Sequence, residues 1–181
     1  MDPEIGDIFD CRKVPTLEHF ILVVGIKESS KKSPARELLF YQITSRTYKV
    51  FGSILEFFND CVEEKYHRFH LYFSKEEKGK KIYPTGKLAD AYFIDGADKY
   101  NTCLGEDSMI LINREPERMD MAVFENLKKK KLVISRDQLD YRDVARLVET
   151  LRFSKHISPY LEQLICSSHK KYKTGHPPKK S

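Results

Sequence analysis

Two short apolar runs joined by a polar loop constrain this chain more than any other feature. The first is EHFILVVGI, residues 18–26, and the second is ELLFYQIT, residues 37–44. KESSKKSPAR, residues 27–36, lies between them and carries Pro34. Runs of this length, rich in Val, Ile and Phe and bounded by loop residues, predict core strands. IGDIFD, 5–10, predicts a short strand before them, and AYFI, 91–94, and SMILI, 108–112, predict two more after them. Strands linked by polar loops point to an antiparallel sheet or a small barrel and away from a doubly wound fold.

The middle of the chain reads less clearly. Over 52–74, Ile54, Leu55, Phe58, Val62 and Tyr66 recur near helical spacing, whereas HRFHLYFS, 67–74, alternates as a strand. KEEKGKK, 75–81, predicts an exposed loop around Gly79. The last third is helical in character. Ser135 and Gln138 form a capping box, and Val144, Leu147, Val148 and Leu151 make an apolar stripe, so a helix is expected over 135–152. Ser158 as N-cap and Pro159 at the first helical position predict another, presenting Leu161, Leu164 and Ile165. The fold class expected is β-rich α+β. Its expected parts are a β-barrel domain over 1–115, a helical part over 116–167 packed on the barrel, and a disordered basic tail over 168–181.

Charge bears on the tail. The chain has a net charge of +5, and its last fifteen residues hold five lysines and no acid. Without those five, basic and acidic residues are equal in number at 27 each. The excess is therefore terminal, where it can solubilise the chain or add sequence-independent attraction to a polyanion. No window approaches the roughly 20 apolar residues of a membrane span. The acidic N-terminus lacks the apolar core of a signal peptide, so a cytoplasmic location is expected.

The usual motifs of nucleotide and metal chemistry are missing from the sequence. Cys11, Cys61, Cys103 and Cys166 stand far apart and form no zinc spacing or disulfide framework. His67 and His70 are spaced as H-x-x-H, but nothing completes a ligand shell, so neither a metal nor a cofactor is expected. The paired acids Glu63–Glu64 and Glu76–Glu77 and the basic run 128–131 read as solvated surface. What remains is His19 at the entrance to one core strand and Thr44, Ser45 and Arg46 leaving the next. If the two strands pair, an imidazole, two hydroxyls and a guanidinium meet at one spot, a set suited to a phosphodiester. Histidine can move a proton near neutral pH, and arginine can hold charge developing on phosphate. Where the nucleophile is the 2′-OH of RNA, no metal is needed.

GDIF, then EHFILVV, then LLFYQITSR together resemble the N-terminal half of the MazF/PemK-like toxins, over about the first 50 residues. The resemblance implies an SH3-like barrel, a dimer, and in active members a metal-independent endoribonuclease neutralised by an antitoxin protein. His19 stands where that family carries a catalytic arginine, Phe20 replaces its common proline, and Thr44 and Ser45 match its Thr/Ser signature. The catalytic set expected is therefore His19, Thr44, Ser45 and Arg46, with Arg12, Lys49, Lys170, Lys171 and Lys173 as basic contacts to RNA. Two other readings compete with the enzyme. One is a non-catalytic SH3-like module that binds RNA or protein. The other is a phage-defence or mobile-element protein in which the barrel is only a scaffold.

Overall fold

The structure is a computed structural model that describes residues 2–30, 34–44, 75–77, 80–82, 90–94, 96, 99–106, 108–112 and 114–176. Its strands, in chain order, are β1 (Asp7–Asp10), β2 (Phe20–Lys27), β3 (Glu37–Ile43), β4 (Lys75–Glu77), β5 (Lys80–Ile82), β6 (Asp90–Ile94), β7 (Ser108–Ile112), β8 (Glu117–Asp120) and β9 (Ile134–Gln138). Its helices are α1 (Met121–Lys129), α2 (Tyr141–Phe153) and α3 (Pro159–Gly175). Five strands form one antiparallel sheet in the order β8-β3-β2-β1-β9, while β4-β5 and β6-β7 are separate two-stranded pairs. The protein is thus α+β, with an antiparallel sheet and C-terminal helices. Among the described residues the five strands do not close into a barrel.

Both apolar runs are strands because both of their faces are covered. Alternate residues of β2 and β3 feed two cores. Leu22, Val24, Leu39, Tyr41 and Ile43 join Val144, Leu147 and Leu151 of α2, Leu161 and Ile165 of α3, and Ile110 and Ile112 of β7. On the other face, Ile21, Val23, Leu38 and Phe40 pack with Phe9, Met121 and Phe124. Phe9 and Phe124 meet edge to face, with ring centroids 5.0 Å apart. Strands covered on both faces read as continuous apolar runs, which is how these two appear in the sequence. A bulge between Val23 and Gly25 shifts the β2–β3 register by one residue.

The β6-β7 pair is tied in at two points. The main chains of Thr44 and Met109 exchange hydrogen bonds of 2.9 and 3.0 Å, which joins the end of β3 to β7. A polar cluster then links the same pair to α2. The Tyr100 hydroxyl donates to the buried carboxylate of Asp143 at 2.6 Å, Lys99 reaches Asp143 at 2.6 Å and Asp140 at 2.7 Å, and Tyr92 donates to the Asp143 carbonyl at 3.0 Å.

Four expectations are corrected. Residues 134–138 are a strand, so the Ser135/Gln138 capping box does not form. Instead β9 pairs with β1, and α2 starts after Asp140, whose carboxylate accepts from the Asp143 amide at 2.9 Å. Pairing with a free sheet edge outweighs a weak local cap signal. The boundary at 115 also fails, because β8 and β9 lie beyond it and belong to the main sheet. Residues 75–77 and 80–82 are paired strands where a loop was expected. Lastly, α3 runs through 168–175, expected to be disordered. Its buried positions Leu161, Ile165, Ser168 and Tyr172 keep helical spacing into the lysine-rich segment, and the lysines take the outer side. Ser168 also satisfies β2, accepting from the Ile26 amide at 2.9 Å. Ser158 is the N-cap of α3 and Pro159 its first residue, as expected. The ambiguous stretch 52–74, with His67 and His70, lies outside the described residues.

Two residues of the GDIF segment make testable contributions. Gly6 has φ +94°, and a Cβ built there would lie 2.6 Å from the Val144 side chain. Its amide donates to Val23 and its carbonyl accepts from Leu139, both at 2.9 Å, so it fastens β2 to the lead-in of α2. Gly6→Ala is expected to cost about 2–4 kcal/mol in denaturant unfolding, from the positive φ and the clash together. Asp7 is half-buried. Burial pushes its carboxyl up to about 6, against a hydrogen bond from the Glu4 amide that favours the charged form. The folded state therefore holds this proton more tightly than the unfolded chain, and stability from this group falls as pH rises through about 4 to 6. Asp7→Asn is expected to raise the melting temperature at pH 8 and to have little effect at pH 4. An equal shift at both pH values would contradict the assignment.

Candidate functional site

The end of the β2–β3 ladder builds the site. Phe20 of β2 pairs with Ile43 of β3, so the next positions in register are His19 and Thr44. Alternation sends Gln42 and Thr44 to one face, and this face continues past the apolar core that Phe40 helps form. Here the two strands stop and polar side chains replace apolar ones.

His19 and Thr44 both line two adjoining cavities. The smaller, of about 250 Å³, is bounded also by Tyr41, Gln42, Arg114 and Glu117. The larger, of about 580 Å³, takes in Arg12, Glu18, Phe20, Glu106 and Ser108. Thr44 is held by its backbone pairing with Met109, and His19 by its carbonyl, which accepts from the Cys11 amide at 3.1 Å. The turn between β1 and β2 presents His19 through a left-handed residue. Glu18 has φ +53°, which costs a non-glycine residue on the order of 1 kcal/mol. Its amide and that of Leu17 both donate to the Val14 carbonyl.

Arg12 is fixed at the mouth of the larger cavity. Its guanidinium lies 4.6 Å from the centroid of the Phe20 ring and donates to Asp10 at 3.0 and 2.8 Å. Arg136 donates to the same carboxylate at 2.9 Å. Hydrogen bonds from Arg12 first, and then from Arg136, hold the Asp10 carboxyl well below the usual carboxylate range despite its burial. In the smaller cavity Glu117 is the hub. It accepts from Arg114 at 2.6 Å and from the Gln42 amide at 3.2 Å, while the Tyr41 hydroxyl donates to the Arg114 carbonyl at 2.6 Å.

Of the residues expected from sequence, His19, Thr44 and Arg12 come together here. Ser45, Arg46 and Lys49 lie outside the described residues. Lys170, Lys171 and Lys173 belong to α3. Lys171 pairs with Glu28, just past the far end of β2, so it sits roughly 25 Å from His19 by strand length. These lysines do not join the site. Glu18, Gln42, Glu106, Ser108, Arg114 and Glu117 were not anticipated. Only Gln42 gave a signal, as a polar residue inside an apolar run. Among the described residues no cluster of His, Cys, Asp and Glu is arranged to hold a metal ion, and no helix is long and apolar enough to cross a membrane.

Scans against protein-family models, curated proteins and solved structures give no match to this chain.

Asp10 offers a test of the site's construction. Its folded carboxyl is more acidic than in the unfolded chain, so its contribution is present above the ordinary carboxylate pKa and is lost as the solution becomes strongly acidic. Asp10→Asn is expected to cost about 1–3 kcal/mol at pH 7, after allowance for the exposure of both arginines, and to keep most of that cost at pH 3, because the folded carboxyl is still ionised there. Urea titrations at the two pH values measure the difference.

Proposed function

We propose that this protein binds single-stranded RNA at the open end of its sheet and cleaves it, as a metal-independent endoribonuclease of the MazF/PemK-like toxin kind. The observation that carries the proposal is that His19 and Thr44, the two described residues of the expected catalytic set, line the same two cavities. In this reading the sheet is the core of a diverged SH3-like barrel. RNA is the substrate, an antitoxin protein is the natural inhibitor, and a homodimer is the functional assembly.

The reaction needs one group to take a proton and another to give one. The substrate's 2′-hydroxyl attacks the adjacent phosphorus as its proton passes to the base. The P–O5′ bond breaks, and the departing oxygen takes a proton from the acid. The products are a 2′,3′-cyclic phosphate and a 5′-hydroxyl. His19 is one of these groups, and the carboxylates beside it in the larger cavity, Glu18 and Glu106, are candidates for the other. Thr44 orients the phosphate, and Arg12, held over Phe20, attracts it.

One observation favours the non-catalytic module instead. The positive charge of Arg12 is offset by Asp10, and Glu18 and Glu106 face the same cavity, so the described residues of the site do not make a concentrated cationic field. Product analysis separates the two readings. The purified chain, free of any antitoxin, is incubated with single-stranded RNA in EDTA and the new ends are identified by mass spectrometry. The enzyme reading expects 2′,3′-cyclic phosphate ends, a rate loss of about 10²–10⁴-fold in His19→Ala, and a smaller loss in Thr44→Ala. Intact RNA, or full activity in His19→Ala, would leave the binding module as the better account.

A further inference from the structure

We infer that the smaller cavity is a base-reading pocket selective for guanine, an inference that rests on the proposal of an RNA site. Its volume of about 250 Å³ falls just below the range of sites for drug-sized ligands and suits a single planar base. His19 and Thr44 form part of its wall, so a base held there lies directly beside the group proposed to move protons.

The polar groups of the pocket are organised in one sense. A carboxylate only accepts, so the Gln42 amide must turn its nitrogen toward Glu117, which leaves its oxygen facing away. Among the described residues that oxygen has no hydrogen-bond donor. Glu117 Oε1 takes the Arg114 guanidinium at 2.6 Å and Gln42 at 3.2 Å, whereas among the described residues Oε2 has only a long 3.4 Å contact with Gln42. The pocket therefore offers acceptors, Glu117 Oε2 and Gln42 Oε1, with the donors of Arg114 alongside them. Arg114 is mostly exposed and can swing, but its main chain is anchored by Tyr41.

Guanine fits this pattern better than the other bases. Its Watson–Crick edge carries two adjacent donors, N1–H and the N2 amino group, next to the acceptor O6. The donors match the carboxylate, and O6 and N7 match a guanidinium. Adenine would turn its N1 lone pair toward Glu117. Uracil has one N–H flanked by two carbonyls, and cytosine presents an acceptor beside its amino group. Each of these sets like partial charges against each other, so the pocket rejects them as well as accepting guanine. Recognition of unstacked bases by their Watson–Crick edges is the common mode for single-stranded RNA.

The test measures binding of the full-length chain to labelled heptaribonucleotides, 2′-fluoro-substituted throughout so that no 2′-hydroxyl is present for the proposed cleavage, by fluorescence anisotropy. UUUGUUU, UUUAUUU, UUUUUUU and the inosine variant UUUIUUU differ only at the central base. The expected result is at least tenfold tighter binding of the guanine oligomer than of the adenine one. Inosine, which lacks the N2 amino group, loses most of that gain. In Glu117→Gln the gap between guanine and adenine falls below about threefold. Arg114→Ala, a change at an exposed side chain, reports on the same pocket through a partial loss of the gap if Glu117→Gln does not fold. Equal binding of all four oligomers by the wild type overturns the guanine pocket while leaving the RNA site intact. Failure to bind any of them overturns the RNA reading and this inference with it.

Discussion

The pairing of β2 with β3 is the interaction on which the rest of the structure depends. These strands are the two longest in the sheet, and every other layer is positioned by one of their faces. On one side α2 and α3 complete a core around Leu22, Leu39 and Tyr41. On the other, α1 and Phe9 complete a core around Ile21, Val23 and Phe40. A one-residue slip of either strand would exchange these two sets. Such a slip would drive Gln42 into an apolar layer and unpair it from Glu117. The register that builds both cores is therefore the one that brings His19 alongside Thr44, so site geometry and core packing cannot be varied independently.

Polar groups inside this framework are placed where backbone pairing gives out. Gly6 supplies the close approach that lets the lead-in to α2 lie against β2, with an amide and a carbonyl both satisfied there. Ser168 caps the Ile26 amide, which β1 is too short to reach. The carboxylates of Asp10 and Asp143 are each buried and each met by two side-chain donors, Arg12 and Arg136 in one case, Tyr100 and Lys99 in the other. Asp7 differs: burial, with no cation at hydrogen-bond distance among the described residues, drives its carboxyl toward the neutral form, whereas the arginines keep Asp10 charged. Two acids three residues apart on one strand thus respond to pH in opposite directions, and partner supply decides which way each goes.

Much of the β-sheet could be read directly from the sequence, because residues 18–26 and 37–44 are apolar on both faces and too short for helices. The apolar stripe of α2 was equally plain. The errors have a common cause. Residues 134–138 carry a helix-start pattern, yet they complete the free edge of β1, and no local pattern reports a vacancy in a distant strand. The lysine-rich segment after Ser167 has the composition of a tail, but Ser168 and Tyr172 continue the buried stripe of α3 between the lysines. The site was legible only where its residues flank strands recognisable in sequence. His19 and Thr44 could be placed by pairing alone, whereas Arg114 and Glu117 are brought in by β8, about seventy residues from Thr44, and nothing near them in sequence foretells that contact.

The position of the site follows from the same constraint that makes the core. Within β2 and β3 both faces are occupied, and backbone donors and acceptors are spent on neighbouring strands. Past Phe20 and Ile43 the described pairing passes to β7, as Thr44 turns its main chain to Met109. Side chains at this margin are anchored by the rigid ladder yet remain partly open to solvent, the combination a site needs when it must hold its groups in place and still admit a large ligand. The strain at Glu18 fits the same logic. A left-handed residue at the entrance to β2 is held between the turn in front of it and the strand behind it, directly before His19, which lines both cavities.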